Sequence, residues 1–117
     1  MTFFDTLCEQ TQTERALLLD APVIKDTFAG DITRERYQSF LGQAYHHVKH
    51  TVPLLMRAGS LLPPSLEWLR KAVVEYVDEE YGHERWILND LKATGADPER
   101  VKNAEPHWTT DAMVSVV

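Results

Sequence analysis

An acidic stretch with one histidine, Glu79-Glu-Tyr-Gly-His-Glu84, holds the side chains of this 117-residue sequence with the clearest potential for chemistry. Residues three or four positions apart share a helical face, so Glu80 and His83 are predicted neighbours, and Glu79 and His83 are a second possible pair. Carboxylate and imidazole at this spacing occur as metal ligands inside helical bundles. These donors suit iron or manganese, and zinc remains an alternative.

The position of this pair in the hydrophobic pattern favours a metal ligand over a solvated acidic patch. Apolar residues recur in steps of three and four from Leu66 to Leu91, and Glu80 and His83 fall on the same line. An ionised carboxylate is costly to bury without a partner, and a bound metal ion would offset that cost. The alternative is a surface helix with an incidental histidine. Three further residues are predicted around the pair, in a pocket or in an outer coordination shell: Tyr76, Glu79 and Glu84.

A second polar cluster, His46-His47-Val48-Lys49-His50, lies on another predicted helix. His47 shares a face with apolar residues and is expected to point inward, either as a core histidine or as a residue of the pocket or outer shell. His46 and His50 share a face with polar residues and are expected at the surface. Cys8, the one cysteine, is expected to pack inside a helix, and no disulfide can form within the chain.

The hydrophobic period predicts an all-α fold of three long helices with short ones between them, and no alternating strand pattern occurs. The first long helix is capped by Thr2, and a short helix ends before Gly30. The second begins at Asp31 or Thr33 and ends at Leu62, with a kink near Thr51 because of Pro53.

The third long helix is predicted from Leu66 to about Thr94, with Ser65 as its cap and Gly95 as its stop. Gly82 lies inside it and costs about 1 kcal/mol relative to alanine, which close packing or ligand access would explain. A short helix follows Asp97, and a last one begins at Thr109 or Thr110. We expect one helical domain over residues 1–117, interrupted before this last helix is complete.

Charge and composition exclude several classes of protein. The net charge of −6 and the absence of a basic run argue against nucleic acid and anionic membranes as partners. No apolar run reaches the roughly 20 residues of a membrane span. The single cysteine and the lack of a signal-peptide pattern favour the cytoplasm.

Two runs resemble known proteins: Tyr37-Gln-Ser-Phe-Leu-Gly-Gln-Ala-Tyr-His-His-Val-Lys-His-Thr-Val-Pro-Leu-Leu-Met56, and Glu79–Glu84 followed by Leu91-Lys-Ala-Thr-Gly95. They resemble helices of the TenA/PqqC-like proteins and, more closely, of their iron-dependent relatives, the heme-oxygenase-like di-iron oxidases. The run Thr109-Thr-Asp-Ala-Met-Val114 is similar to the start of the next helix. The resemblance implies the N-terminal half of a heme-oxygenase-like helical bundle, completed by dimerisation or by further C-terminal helices.

The resemblance also implies a function. Relatives on this branch hold one or two non-heme irons and activate dioxygen to oxidise small organic substrates, and Glu80 and His83 match their first ligand pair. Other ligands in the family come from later helices. The expected function is therefore that of a non-heme iron-dependent oxidoreductase, or of half of one, acting on a small molecule, with a homodimer as the expected assembly. The alternatives are a metal-free TenA/PqqC-like binding or salvage protein and an inactive helical dimer.

Overall fold

Every regular element of the chain is helical, which confirms the all-α prediction. The computed structural model describes all residues, 1–117. The nine α-helices are α1 Phe3–Gln10, α2 Gln12–Asp20, α3 Pro22–Ala29, α4 Arg34–Val48, α5 Thr51–Leu61, α6 Glu67–Glu80, α7 His83–Ala93, α8 Pro98–Lys102 and α9 Trp108–Val116. The chain divides into two compact units, Met1–Thr33 and Arg34–Val117. The single domain over residues 1–117 stays a prediction, and none of the helices is long and apolar enough to cross a membrane.

The first unit contains α1, α2 and α3, whose ends follow local sequence signals. The Thr2 side chain accepts a hydrogen bond from the Asp5 N–H, and the Asp5 carboxylate accepts one from the Thr2 N–H, which forms a capping box. α3 ends at Gly30, whose φ of 75° is left-handed. Cys8 is half-buried in α1 and is not in a disulfide. The predicted Thr2 cap and Gly30 stop are therefore confirmed.

The second unit is built from two pairs of helices. α4 packs against α7, and α5 packs against α6. Leu41 of α4 and Leu91 of α7 are the buried apolar side chains of the first pair. Near the start of α4, the Gln38 side chain donates to the Thr94 carbonyl at 2.9 Å, so α4 and α7 run antiparallel. Many large apolar side chains of this unit remain exposed, among them Phe40, Met56, Leu61, Trp68 and Trp86.

The second long helix is broken where only a kink was predicted. α4 ends at Val48, and α5 begins at Thr51 after a two-residue turn. Pro53 lies in the first turn of α5; it has no N–H, and its ring would clash with the Lys49 carbonyl in a continuous helix. The His50 N–H accordingly bonds to the His47 carbonyl at 3.0 Å, a tighter turn than an α-helix has.

The third long helix is also divided, so the prediction of an uninterrupted helix from Leu66 to Thr94 was wrong. Tyr81 is extended (φ −62°, ψ 119°) and Gly82 has a left-handed φ of 90°. Ser65 does not cap α6, because it lies inside a 3-10 turn, Pro64–Leu66, that precedes α6. Gly95, with φ 89°, does end α7 as predicted. The glycine in the middle of the segment therefore forms a turn and does not serve close packing.

Replacing Gly82 with alanine should lower the free energy of unfolding by about 1–2 kcal/mol, because a Cβ makes left-handed backbone unfavourable. No atom lies within 4 Å of the added Cβ, so strain is the whole effect. Gly42→Ala is the matched control. Gly42 is helical, and its nearest neighbour, Val101 Cγ1, lies at an ordinary 3.7 Å. The control should be neutral or stabilising by up to about 1 kcal/mol. Equal losses in urea unfolding would contradict this account.

Candidate metal-binding site

Glu80 and His83 lie on either side of the turn that separates α6 from α7. Glu80 is the last residue of α6, and His83 is the first residue of α7. His83 Nδ1 and Glu80 Oε2 are 3.0 Å apart. Their side chains are 29% and 22% exposed, so neither points freely into water and neither is fully enclosed. The predicted neighbours are thus in contact, although the Tyr81–Gly82 turn brings them together, where a shared helical face was expected.

The contact with Glu80 determines which His83 nitrogen can bind a ligand. An imidazole Nδ1–H that donates to a carboxylate leaves the lone pair on Nε2. Metal-binding histidines commonly have this arrangement, with the second ring nitrogen held by an acidic partner. The Trp86 ring lies against His83, with centroids 4.3 Å apart and planes tilted by 34°. Glu80 and Trp86 together limit the rotation of the imidazole.

The other acidic candidates do not join this pair. Glu79 is exposed on α6, and Glu84 is half-buried with its Oε1 3.9 Å from the Arg85 Nε. Arg85 also lies over the Tyr81 ring, 5.4 Å from its centroid. No three His, Cys, Asp or Glu side chains form a group able to hold a metal ion. The pair has the right donor chemistry for iron, but two donors are only part of a ligand set.

Tyr76 and His47, the other predicted pocket residues, lie elsewhere. Tyr76 is exposed on α6, about half of its surface being open to solvent. His47 is half-buried and lines a cavity of about 790 Å³ between α5 and the end of α9. Neither Glu80 nor His83 lines this cavity. The predicted residues therefore belong to two separate places on the second unit.

His46 is buried, so its predicted place at the surface was wrong. Only 3% of the residue is exposed, and its Nδ1 has no hydrogen-bond partner. Burial lowers the pKa of the His46 imidazole, and the nearby Lys49 ammonium lowers it further. The reason is that Val101 of α8 contacts the same side of α4, one turn earlier at Gly42. His50 is half-buried rather than fully exposed.

Two features of the site were missed in the sequence. Trp86 follows His83 by three residues, so helical spacing could have indicated their contact. His107, to which no role was assigned, caps α9 through its Nδ1, and its N–H donates to Gln43 Oε1 at 2.9 Å. No local pattern marks this second contact, because the two residues are far apart in the sequence.

Comparison with known families identifies the class of the chain. The family described as iron-containing redox enzymes, of the heme-oxygenase-like type, matches residues 38–117. The match covers more than half of the sequence, including Glu80 and His83, and the chain belongs to this family. No curated protein and no solved structure matches the sequence.

Proposed function

We propose that this protein is a non-heme iron-dependent oxidoreductase, or the part of one, that activates dioxygen to oxidise a small organic substrate. Glu80 and His83 are its iron-binding side chains. The observation that carries the proposal is the 3.0 Å contact between His83 Nδ1 and Glu80 Oε2 across the turn after α6. Membership in a family of iron-containing redox enzymes supports the same metal.

Each side chain has a distinct role in this proposal. His83 offers Nε2 to the ion, because its Nδ1 is held by Glu80. The Glu80 carboxylate orients the imidazole and supplies negative charge, which lowers the cost of holding a cation in a partly enclosed place. Trp86 restricts the imidazole ring by stacking. Bound iron supplies the one-electron chemistry with dioxygen that protein side chains lack.

The proposal extends to the di-iron branch of the TenA/PqqC-like proteins, which the runs Tyr37–Met56 and Glu79–Glu84 resemble. Two protein donors would leave an iron ion weakly held, since iron sites of this kind in helical bundles draw carboxylates and imidazoles from several helices. The remaining ligands therefore come from beyond this pair. His47, Glu79 and Glu84 stay candidates for contacts with substrate or with those ligands.

A second candidate is a metal-free binding or salvage protein of the same fold. The small number of donors around Glu80 and His83 favours it, because no third His, Cys, Asp or Glu completes a metal-binding group. In that case the Glu80 carboxylate accepts a hydrogen bond from a bound heterocycle, and His83 only holds the carboxylate in place. Iron binding separates the two candidates.

Anaerobic equilibrium dialysis against ferrous iron tests the proposal. The wild-type protein should retain iron, and Glu80→Ala and His83→Ala should each retain much less. Glu75→Ala is the matched control, since Glu75 is an exposed carboxylate of the same helix, 3.8 Å from Lys71 Nζ. With a reductant present, only iron-retaining variants should consume dioxygen at an oxygen electrode. Equal iron retention in all four proteins would reject this site.

The homodimer expected from the sequence is kept as part of the proposal. The exposed apolar side chains of α5 and α6, including Met56, Leu61 and Trp68, would be covered in such an assembly. Light scattering should then give twice the mass of one chain at micromolar concentration. A mass equal to one chain at every concentration would contradict the dimer and leave the iron proposal untouched.

A further inference from the structure

His46 is an ionisable side chain without a polar partner inside the second unit. It lies in α4 with only 3% of its surface exposed, and its Nδ1 makes no hydrogen bond. The Tyr45 ring lies nearly edge-on to the imidazole, with centroids 5.4 Å apart. A buried polar atom without a partner costs stability, and the cost rises when the group carries a charge.

The segment 98–106, which contains α8 and the residues that lead towards α9, is anchored to α4 at both ends of this region. Val101 lies 3.7 Å from the position of a Cβ on Gly42. Gln43 Oε1 accepts hydrogen bonds from the His107 N–H at 2.9 Å and from the Thr110 hydroxyl at 2.8 Å. His46 follows Gly42 by one helical turn, so it lies beneath this anchored segment.

Charged groups around His46 come from α4 and from the segment itself. Burial is the main effect that lowers the pKa of His46, and Lys49 and His50 of α4 add to it. Glu105 and hydrogen bonding to the Val101 backbone raise that pKa in part. The charged Lys102 of α8 is engaged with Glu99 at 3.0 Å. Neither α7 nor α9 adds a charge to the groups that act on His46.

We propose that His46 is a pH-sensitive contact that holds the segment 98–106 against α4 while its imidazole is neutral and releases the segment when the imidazole is protonated. An imidazolium has two N–H donors and a full charge, and Nδ1 has no acceptor in the closed arrangement. Water satisfies both once the segment has moved away. His46 is the buried titratable side chain among the contacts of α4 with this segment.

The direction of the pH effect follows from where the proton binds more tightly. The pKa of His46 in the closed state lies below the ordinary value of 6.5. The open state therefore takes up the proton first, and closure is lost as the pH falls from about 6.5 towards the pKa of the closed state. Within that window the opening equilibrium changes by up to about tenfold for each pH unit. Above it, opening does not depend on this group.

Release of the segment has a consequence for the cavity lined by His47. The far wall of this cavity is formed by residues 113–117 at the end of α9. The segment 98–106 leads into α9, and the start of α9 is anchored at Gln43, close to His46 on α4. Protonation of His46 should therefore loosen α9 and widen the cavity.

Hydrogen exchange measured by mass spectrometry on the whole protein tests the proposal. After correction for the intrinsic pH dependence of exchange, amides in residues 98–106 should lose protection between about pH 7.5 and about pH 5.5. His46→Leu should abolish this loss, because it removes the titrating group from an apolar place. His50→Gln, on the next turn of α4, should retain it.

Two outcomes overturn the proposal: protection of residues 98–106 that is the same at both pH values in the wild-type protein, or a pH-dependent loss that persists in His46→Leu. Should His46→Leu fail to fold, the NMR titration of the His46 ring in wild-type protein gives the answer. The His46 transition must coincide with the loss of protection; a transition at a different pH rejects the proposal. Iron binding at Glu80 and His83 is measured separately and is not involved in either outcome.

Discussion

Ferrous iron should raise the melting temperature of the wild-type protein under anaerobic conditions, and His83→Ala should remove most of that rise. A ligand that binds only the folded state at a concentration one hundred times its Kd stabilises it by about 2.7 kcal/mol. For a protein of this size this corresponds to roughly 10 °C or more. The physical reason is that His83 Nε2 is the nitrogen left available by the contact with Glu80. Differential scanning fluorimetry measures the shift.

The controls for this experiment separate a specific site from general effects of the metal. Glu75→Ala should keep the full shift, because Glu75 is exposed and belongs to no cluster of donors. His50→Ala should keep it as well, since His50 lies on α4 outside the Glu80–His83 pair. A shift that survives in His83→Ala, or no shift in the wild-type protein with saturating iron, would count against the proposed site.

Leu91→Ala should lower the free energy of unfolding of the second unit by about 2–5 kcal/mol. Leu91 is fully buried, and Leu41 is the other large apolar side chain enclosed between α4 and α7. A small core has little surrounding structure to collapse into the cavity that the substitution leaves. Because the total stability of a domain is only about 5–15 kcal/mol, the variant should be close to unfolding at room temperature.

Leu61→Ala is the comparison for Leu91→Ala in urea unfolding. Leu61 is the last residue of α5, and 74% of it is exposed. Its replacement should change stability by no more than about 0.5 kcal/mol. Similar losses in the two variants would mean that the packing of α4 on α7 is not the main source of stability in this unit.

Helix ends with a local cause were predictable from the sequence. The Thr2 cap needs only Asp5 three residues later, and Asp97 accepts a hydrogen bond from the Glu99 N–H at 3.0 Å. Gly30 and Gly95 end their helices because glycine adopts left-handed backbone at little cost. These signals act over one or two turns, so a single sequence contains them in full.

The two breaks inside the long helices were not predicted, because the hydrophobic pattern continues across them. After the turn at Tyr81–Gly82, α7 keeps its apolar side towards α4, as the burial of Leu91 shows. Periodicity therefore indicated one helix where there are two. The same continuity explains why Glu80 and His83 still meet, although the stated reason for the contact was a shared helical face.

Positions that depend on packing between distant segments could not be derived from spacing. The polar face of α4 predicted an exposed His46, and only the location of Val101 near Gly42 explains its burial. In α6 the hydrophobic period allowed either Tyr76 or Val77 to face inward. The structure buries Val77 in part and leaves Tyr76 exposed. Choosing between neighbours on a helix requires knowledge of which helix packs against them.

X-ray absorption at the iron edge of the anaerobically loaded protein tests the central claim most directly. We predict that the wild-type spectrum contains the multiple scattering of a bound imidazole, and that His83→Ala loses it while Glu75→Ala retains it. Indistinguishable spectra of the wild-type protein and His83→Ala would contradict the assignment of His83 as an iron ligand.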